Sequence, residues 1–159
     1  MKVGIISDTH GHLHTRVHTL FQNVDALIHA GDIGNDDILL ELETIAPVTA
    51  VRGNMDRVGR PSGFNEFVIA SFDGITCFIT HDLGAPPTIK SHLQAVVTRY
   101  EPHVIIFGHT HKPYSRYLGD TLYFNPGSAT SGRSAHHQTV GLFTIQNGTL
   151  TPSILSLQS

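Results

Sequence analysis

Five apolar segments of this sequence end in carboxylate, amide or imidazole side chains, which are groups that bind metal ions and move protons in enzymes. One such ending would indicate only a turn, because Asp and His often terminate strands and bond to the turn backbone. Five of them require a common cause. The endings are SDTHGH at 7–12, HAGD at 29–32, VRGNMD at 51–56, FITHD at 78–82 and IIFGHTH at 105–111.

The first third of the chain alternates buried strands with amphipathic helices. Apolar runs at 2–7, 25–32 and 48–53 have the length and composition of strands. Residues 12–24 and 35–46 carry apolar side chains at helical spacing between these runs. This βαβαβ order predicts parallel strands joined by right-handed crossovers.

The remainder of the chain favours antiparallel pairing, with one further helix. Residues 85–100 have helical spacing and are predicted to begin a helix at the two prolines that follow Ala85. A strand over 103–111 comes next. Three turn signals separate β-rich runs and predict hairpins. These signals are Asp73-Gly74, Gly119-Asp120 and Asn147-Gly148.

The combination of βαβ units with later hairpins favours an α/β fold of two packed sheets with helices outside. Loops beyond the carboxyl ends of parallel strands meet in one crevice, so the polar endings are predicted to converge there. Collected in one crevice, they make a candidate metal site. Its seven residues are Asp8, His10, Asp32, Asn54, His81, His109 and His111.

The number and type of these donors indicate two metal ions. Seven ligands exceed what one tetrahedral zinc requires, and they suit two ions that share ligands. Carboxylate, amide and imidazole donors without thiolate fit Mn²⁺, Fe²⁺, Zn²⁺ or Ni²⁺, and we expect two divalent ions with Mn²⁺ as the first choice. Such a pair can hold a phosphoryl oxygen and stabilise the leaving oxygen of an in-line displacement.

The five blocks SDTHG, HAGD, RGNMD, FITH and FGHTH, in this order and spacing, resemble the signature of the calcineurin-like metallophosphoesterases. FNPGSATSGR at 124–133 resembles the NPGS…R segment of the family's small phosphodiesterase branch, which includes the eukaryotic retromer scaffold subunit. The resemblance covers essentially the whole chain. It implies a metallophosphoesterase-like, four-layer αββα sandwich of two mixed β-sheets flanked by helices, with a binuclear metal site.

The resemblance also implies a role for each of the seven candidates. The first ion would be bound by Asp8, His10 and His111. The second ion would be bound by Asn54, His81 and His109. Asp32 would bridge both ions, and a bridging hydroxide would be the nucleophile. Asn54 would also orient a phosphate oxygen of the substrate.

The sequence departs from the family pattern beside these ligands. Larger members have a His general acid directly after the Asn, but this chain has Met55, which cannot transfer a proton. Asp56, water or the metals must then assist the leaving group, so we expect a preference for good leaving groups. Arg133 is the candidate for a bidentate phosphate contact. Asp82 adds negative charge beside the second ion, which favours monoanionic diesters over dianionic monoesters.

Length and composition bound the remaining possibilities. A chain of 159 residues with 40% hydrophobic residues predicts one globular domain over 1–159, and a formal net charge of −3 supplies no basic field for nucleic acid. No apolar run is long enough for a signal peptide or membrane span, so we expect a cytoplasmic protein without a membrane partner. Cys77 is predicted to pack in the core. A homodimer through exposed strand edges is compatible with the sequence.

Three functions are compatible with these residues. The first is a metal-dependent phosphodiesterase that hydrolyses a small phosphodiester substrate. The second is a protein-binding scaffold of the same fold with weak or lost catalysis, against which the intact and costly cluster of ligands argues. The third is a phosphomonoesterase or nucleotidase. Among the other histidines, His29 is interpreted as a support for its neighbours, whereas His12, His14 and His18 are interpreted as surface residues.

Overall fold

The computed structural model describes residues 1–130 and 137–158, which form two five-stranded sheets, a small hairpin and four helices. The strands are β1 (Lys2–Ile6), β2 (Ala26–His29), β3 (Val48–Ala50), β4 (Phe67–Phe72), β5 (Ile75–Thr80), β6 (Gly84–Ala85), β7 (Thr88–Ile89), β8 (Val104–Ile106), β9 (Tyr114–Leu118), β10 (Thr121–Asn125), β11 (Thr139–Gln146) and β12 (Thr149–Ser156). The helices are α1 (Arg16–Phe21), α2 (Asp36–Glu43), α3 (Gly59–Ser62) and α4 (Ser91–Tyr100).

The first sheet has the strand order β12-β11-β1-β2-β3. Strands β1, β2 and β3 are parallel, which confirms the predicted βαβαβ unit, and β11 pairs with β1 in the antiparallel direction. The second sheet has the order β4-β5-β8-β10-β9, in which β5, β8 and β10 are parallel neighbours. The five polar endings therefore all lie at the carboxyl ends of parallel strands, after β1, β2, β3, β5 and β8.

Three clusters of buried side chains define four layers. The largest lies between the sheets, where Ile5 and Ile28 of the first sheet meet Ile106 and Phe124 of the second. A second cluster packs α1 and α2 against the outer face of the first sheet, and a third packs α4 against the outer face of the second sheet. This is the predicted αββα arrangement. Burial also confirms Cys77 as a core residue and raises the pKa of its thiol to about 12.

The three predicted hairpin turns are present. Asp73-Gly74 joins β4 to β5, and both residues have positive φ, at 48° and 83°. Asn147-Gly148 joins β11 to β12 with φ values of 50° and 74°, and Gly119-Asp120 joins β9 to β10. Asn, Asp and Gly are favoured here because tight hairpin turns need left-handed backbone.

Two predicted helix boundaries are wrong. The first helix begins at Arg16 rather than at residue 12, because the chain turns at His10 and Gly11, which have φ values of 46° and 78°. The fourth helix begins at Ser91 rather than at the prolines, which instead connect β6 to β7. The hairpin is closed by Lys90 N–H, directly after β7, which donates to the carbonyl of Leu83, directly before β6, and α4 follows.

No helix among the described residues is both long enough and apolar enough to cross a membrane.

Candidate metal centre

All seven predicted ligands lie at one end of the two sheets, and several of their ligand atoms are close together. The Nε2 atom of His111 lies 3.1 Å from Asp8 Oδ1, and that of His81 lies 3.3 Å from Asp32 Oδ2. The ligand atoms of two triads lie within 4.8 Å of one another: Asp8 with His10 and His111, and Asp8 with Asp32 and His81. The convergence predicted from the strand endings is therefore present.

The backbone at the site is left-handed at most of the ligand positions. Positive φ is uncommon for residues other than Gly and costs roughly 1 kcal/mol or more, so it persists only where the surrounding structure imposes it. The ligands with positive φ are Asp8 (56°), His10 (46°), Asp32 (54°), His109 (67°) and His111 (58°). All five lie in the loops that follow β1, β2 and β8.

Asp8 is buried at the centre of the cluster. Its Oδ2 accepts hydrogen bonds from Ser7 Oγ at 2.6 Å and from His109 N–H at 3.2 Å. Its Oδ1 accepts no hydrogen bond of suitable geometry among the described residues, although three imidazole Nε2 atoms lie near it, that of His111 at 3.1 Å and those of His10 and His81 at 3.9 Å. A buried carboxylate oxygen without a donor is costly, and an oxygen facing several imidazole nitrogens is the arrangement a cation would complete.

Asp32 lies between the two halves of the cluster. Its Oδ1 accepts from Met55 N–H at 2.8 Å, while Oδ2 lies 3.3 Å from His81 Nε2 and 3.8 Å from His10 Nε2. Burial alone would raise the pKa of Asp32, but the His81 ring and the Met55 N–H hold it below its ordinary value. A carboxylate in this position can contact ions on both sides, as the predicted bridging role requires.

His81 is oriented from behind by the main chain. Its Nδ1 donates to the Ala30 carbonyl at 2.8 Å, which leaves Nε2 as the ligand atom and fixes the tautomer. Burial alone would lower the pKa of His81, but the carboxylates of Asp32 and Asp8 raise it above its ordinary value. The pKa of His111 is raised chiefly by the nearby carboxylate of Asp8, whose Oδ1 lies 3.1 Å from Nε2.

Asn54 and His109 complete the second half of the cluster. Asn54 Oδ1 lies 3.0 Å from His81 Nε2 and 3.2 Å from His109 Nδ1. The amide oxygen thus points at the same place as the two rings, and Asn54 Nδ2 remains as a donor for another group. The residue is exposed and lines a cavity of about 220 Å³ that opens beside the cluster.

The Asp8 main chain is supported by residues that sequence reasoning did not assign to the site. The Asp8 carbonyl accepts from Ser128 Oγ at 3.2 Å and Thr130 Oγ1 at 2.9 Å, and Asn125 Nδ2 donates to the Gly108 carbonyl at 2.8 Å. The sequence feature that could have identified these supporting residues is the NPGSAT segment, whose polar side chains lie between β10 and β11. Arg133, predicted to contact phosphate, lies outside the described residues.

Asp56 braces the strand ends. Its Oδ1 accepts from the N–H groups of Ile33 at 2.9 Å and Gly34 at 3.0 Å, and its Oδ2 accepts from Gly53 N–H at 2.8 Å. The residue is 4% exposed, and both oxygens face the protein backbone. This geometry does not support the prediction that Asp56 assists departure of a leaving group. Its role is to tie the loop after β3 to the loop after β2.

The negative charge of Asp82 is largely neutralised by a neighbouring side chain of the protein. Lys90 Nζ contacts Asp82 Oδ2 at 2.5 Å, and His109 Nε2 lies 3.8 Å from the same oxygen. Burial alone would raise the pKa of Asp82, but Lys90 and His109 hold it below its ordinary value. Because Lys90 offsets the carboxylate, the predicted repulsion of dianionic monoesters is weaker than the sequence indicated.

His29 lies behind the metal cluster, as its interpretation as a supporting residue requires. Gly31 N–H donates to Nδ1 at 3.2 Å, so Nε2 carries the proton and donates to Thr9 Oγ1 at 2.9 Å. The Thr9 hydroxyl donates in turn to the Ile33 carbonyl at 2.8 Å. This chain of bonds ties the loop after β1 to the loop after β2.

We expect His29 to make the metal-free protein acid-sensitive. Burial lowers its pKa from 6.5 to about 3, so the unfolded chain takes up this proton first as the pH falls. The His29 contribution to stability is then present above pH 6.5 and is lost progressively toward pH 3. Between pH 7 and pH 5 the free energy of unfolding should fall by about 2 kcal/mol more in the wild type than in His29→Gln.

Urea unfolding in the presence of a chelator at the two pH values measures this difference. His12→Gln, which changes an exposed histidine, is the matched control and should retain the wild-type pH dependence. Equal pH dependence in the wild type and His29→Gln would show that His29 is not held neutral.

The described residues fit divalent metal ions. They combine an orphaned buried carboxylate oxygen, a second carboxylate placed between two groups of imidazoles, and a histidine whose tautomer is fixed by a main-chain carbonyl. Nitrogen and oxygen donors of this kind suit first-row divalent cations. Either triad would supply three ligands to an ion.

Comparison with known proteins agrees with this site. The family model for the calcineurin-like phosphoesterase superfamily domain matches residues 1–148. The chain therefore belongs to the calcineurin-like phosphoesterase superfamily. Among its relatives, a protein of Methanothermobacter thermautotrophicus named "probable metallophosphoesterase" is 38% identical over 141 residues, which cover 84% of this chain and 80% of that protein.

A phosphodiesterase of Methanocaldococcus jannaschii is 30% identical over 143 residues, covering 80% of this chain and 83% of that protein. A solved structure described as a novel archaeal phosphodiesterase superposes with a TM-score of 0.77 at 27% identity, covering 98% of this chain and 100% of that one. Vacuolar Protein Sorting 29 from Cryptosporidium parvum has a TM-score of 0.74 at 19% identity, covering 98% and 96%, which shows a shared fold alone.

Proposed function

We propose that this protein is a cytoplasmic, metal-dependent phosphodiesterase that acts on a small phosphodiester. The observation that carries the proposal is the buried Oδ1 of Asp8, which no donor satisfies among the described residues and which faces imidazoles on both sides of the crevice. Membership of the phosphoesterase superfamily, together with likeness to a relative named phosphodiesterase and to a solved structure described as one, supports the reaction class.

In this proposal seven residues bind the metal ions, and one of them, Asn54, also binds the substrate. We assign Asp8, His10 and His111 to one ion and His81, His109 and Asn54 to the other, with Asp32 shared. Two divalent ions, Mn²⁺ being our first choice, would supply Lewis acidity that polarises a phosphoryl oxygen and lowers the pKa of a water nucleophile. Asn54 Nδ2 can donate to a phosphate oxygen because Oδ1 already faces the two imidazoles.

The main-chain supports keep these groups in place before substrate arrives. The Ala30 carbonyl holds His81 Nδ1, and Met55 N–H holds Asp32 Oδ1, so neither side chain must reorient to bind an ion. Met55 itself is 56% exposed at the rim and has no proton to give. The leaving group must then be protonated by water or depart as an anion, which agrees with the expected preference for good leaving groups.

The first test is hydrolysis of bis-p-nitrophenyl phosphate by metal-stripped protein to which Mn²⁺ and other divalent ions are added back. We expect metal-restored turnover that falls about a hundredfold in Asn54→Ala, because a ligand and a phosphate contact are lost together. Asn23→Ala, an exposed substitution remote from the crevice, is the matched control and should retain wild-type turnover.

The same assay separates the alternative functions. Faster hydrolysis of p-nitrophenyl phosphate than of the diester would favour a phosphomonoesterase. No turnover with any ion, despite metals bound by elemental analysis, would contradict the phosphodiesterase proposal and favour a scaffold, the role for which the shared fold with Vacuolar Protein Sorting 29 is the only support.

A further inference from the structure

The cations around the crevice differ in whether the protein itself neutralises them. Lys90 is paired with Asp82, and Arg60 contacts Glu43 through both terminal nitrogens. Arg52 is different. Within residues 1–130 and 137–158 it makes no ion pair, and its guanidinium has one long hydrogen bond, 3.4 Å from Nη1 to the Ser62 carbonyl. An exposed Arg with a single weak contact is available to bind an anion.

Arg52 also occupies a special place relative to the metal centre. It lines two cavities that flank Asn54, one of about 220 Å³ that includes His81 and one of about 420 Å³ that includes Arg57. Arg52 lies two positions before Asn54 in the chain, so their Cα atoms are at most about 7 Å apart. A substrate with one phosphate at the metal centre would therefore have its next few atoms beside Arg52.

The acidic residues of these cavities do not neutralise Arg52. In the smaller cavity, Asp82 is paired with Lys90 and Glu66 Oε1 accepts from His92 Nε2 at 2.6 Å. In the larger cavity, Asp56 turns both carboxylate oxygens toward three backbone N–H groups. The positive charge that faces the cavities is thus that of Arg52, with Arg57 on the wall of the larger one.

We propose that Arg52 binds a second phosphate of the substrate, so that the preferred substrates are phosphodiesters carrying a further phosphate close to the scissile one. This inference rests on the proposed phosphodiesterase function. The guanidinium fork suits a phosphate because it can donate two parallel hydrogen bonds. Arg52 is a specificity-determining residue in this scheme, whereas the metal ligands and Asn54 act on the scissile phosphate.

The kinetic test compares two esters that share a scissile bond and a leaving group. Thymidine 5′-(p-nitrophenyl phosphate) is assayed with and without a phosphate on its 3′ oxygen. We expect the metal-loaded wild type to prefer the 3′-phosphorylated ester by about tenfold in kcat/KM, mostly through KM, as for a charge-assisted hydrogen bond at an exposed site. Arg52→Gln should reduce this preference to within about twofold, and Arg52→Lys should retain part of it.

Arg116→Gln is the matched control, because Arg116 lies on β9 of the second sheet, over the Tyr114 ring and outside both cavities. It should keep the wild-type preference. Equal kcat/KM values for the two esters in the wild type, or an unchanged preference in Arg52→Gln, would overturn the inference while leaving the phosphodiesterase proposal intact.

A binding measurement decides the inference even if neither ester turns over. Calorimetric titration of the metal-loaded protein should show thymidine 3′,5′-bisphosphate binding about tenfold more tightly than thymidine 5′-monophosphate, and Arg52→Gln should abolish the difference. Absence of turnover together with this difference would reject the phosphodiesterase function and retain the second phosphate site. Equal affinities for the two nucleotides would reject the site.

Discussion

Asp8→Asn should abolish metal-dependent turnover, by about a thousandfold or more, and yet should stabilise the metal-free protein. The loss of activity follows because Asp8 belongs to both triads that could hold an ion. Asp8 and Asp32 place two carboxylates in a mostly buried cluster, and Asp8 Oδ1 accepts no hydrogen bond there among the described residues. Removing one of them should raise the free energy of unfolding of the metal-free protein by about 1 to 2 kcal/mol.

The local hydrogen bonds allow Asn to replace Asp8 without strain. Its Oδ1 can accept the bonds that Ser7 Oγ and His109 N–H now give to Asp8 Oδ2. Its Nδ2 would then take the position of the orphaned oxygen and could donate to His111 Nε2, which lies 3.1 Å from that oxygen. The substitution therefore exchanges an unsatisfied charge for a neutral donor.

Thermal unfolding with a chelator and with added Mn²⁺ measures both effects on one sample, and elemental analysis counts the bound metal. Asp73→Asn, at an exposed hairpin position where Asn is equally suited, is the control and should behave as the wild type in both conditions. An Asp8→Asn protein that still gains stability on addition of Mn²⁺ would show that Asp8 does not hold an ion.

The ligand set could be predicted from sequence because of a simple property of parallel strands. Each apolar run is long enough to be identified as a buried strand. Its polar ending must lie at the carboxyl end of that strand, and in a parallel sheet the carboxyl ends of neighbouring strands lie side by side. Asp8, Asp32 and His81 follow this rule directly. The partition into two sheets was also accessible, since the hairpin turn signals such as Asp73-Gly74 are local.

The backbone of the ligands could not be predicted in the same way. Asp and His are enriched among the non-glycine residues that adopt positive φ, but most Asp and His residues do not adopt it, so residue type alone does not identify Asp8, Asp32 and His109 as left-handed. Tertiary contacts impose these conformations. The Asp8 main chain is held by Gly31 through its carbonyl and by Ser128 through its hydroxyl, and both partners are distant in sequence.

The charge and hydrogen-bond partners of Asp82 and Asp56 could not be predicted from the sequence either. From the sequence, Asp82 is predicted to add negative charge beside the second ion, and nothing in the pattern indicates that Lys90, eight residues later, pairs with it. Asp56 is one of the groups that the sequence offers to assist the leaving group, since Met55 cannot, and no sequence pattern predicts the three backbone N–H groups that its carboxylate accepts from. Which side chains pair between two loops depends on the course of each loop in the folded protein. The periodicity of apolar residues predicts helices and strands but not the course of loops.

Gly53 is required for a steric reason that the sequence does not show. Gly53 directly precedes the ligand Asn54, but it is not among the residues with positive φ. A Cβ atom at this position would instead lie 2.1 Å from the Asp32 N atom and 2.1 Å from Asp32 Oδ1. The loop after β3 therefore approaches Asp32 more closely than any side chain allows.

Gly53→Ala should consequently destabilise the protein by about 3 kcal/mol, because the clash involves backbone that cannot rotate away. Either Asp32 or the loop that carries Asn54 must move, so metal-restored hydrolysis of bis-p-nitrophenyl phosphate should fall as well. Urea unfolding with a chelator measures the first effect without contribution from bound metal.

Gly63→Ala is the matched control, because its Cβ would meet only the Arg60 carbonyl at an ordinary 3.5 Å and its φ of −87° suits alanine. We expect its stability to stay within about 0.5 kcal/mol of the wild type. If Gly53→Ala behaved like this control in unfolding but still lost turnover, the strand ends could separate at little cost. The close approach would then matter for ligand geometry alone and not for the packing of the fold.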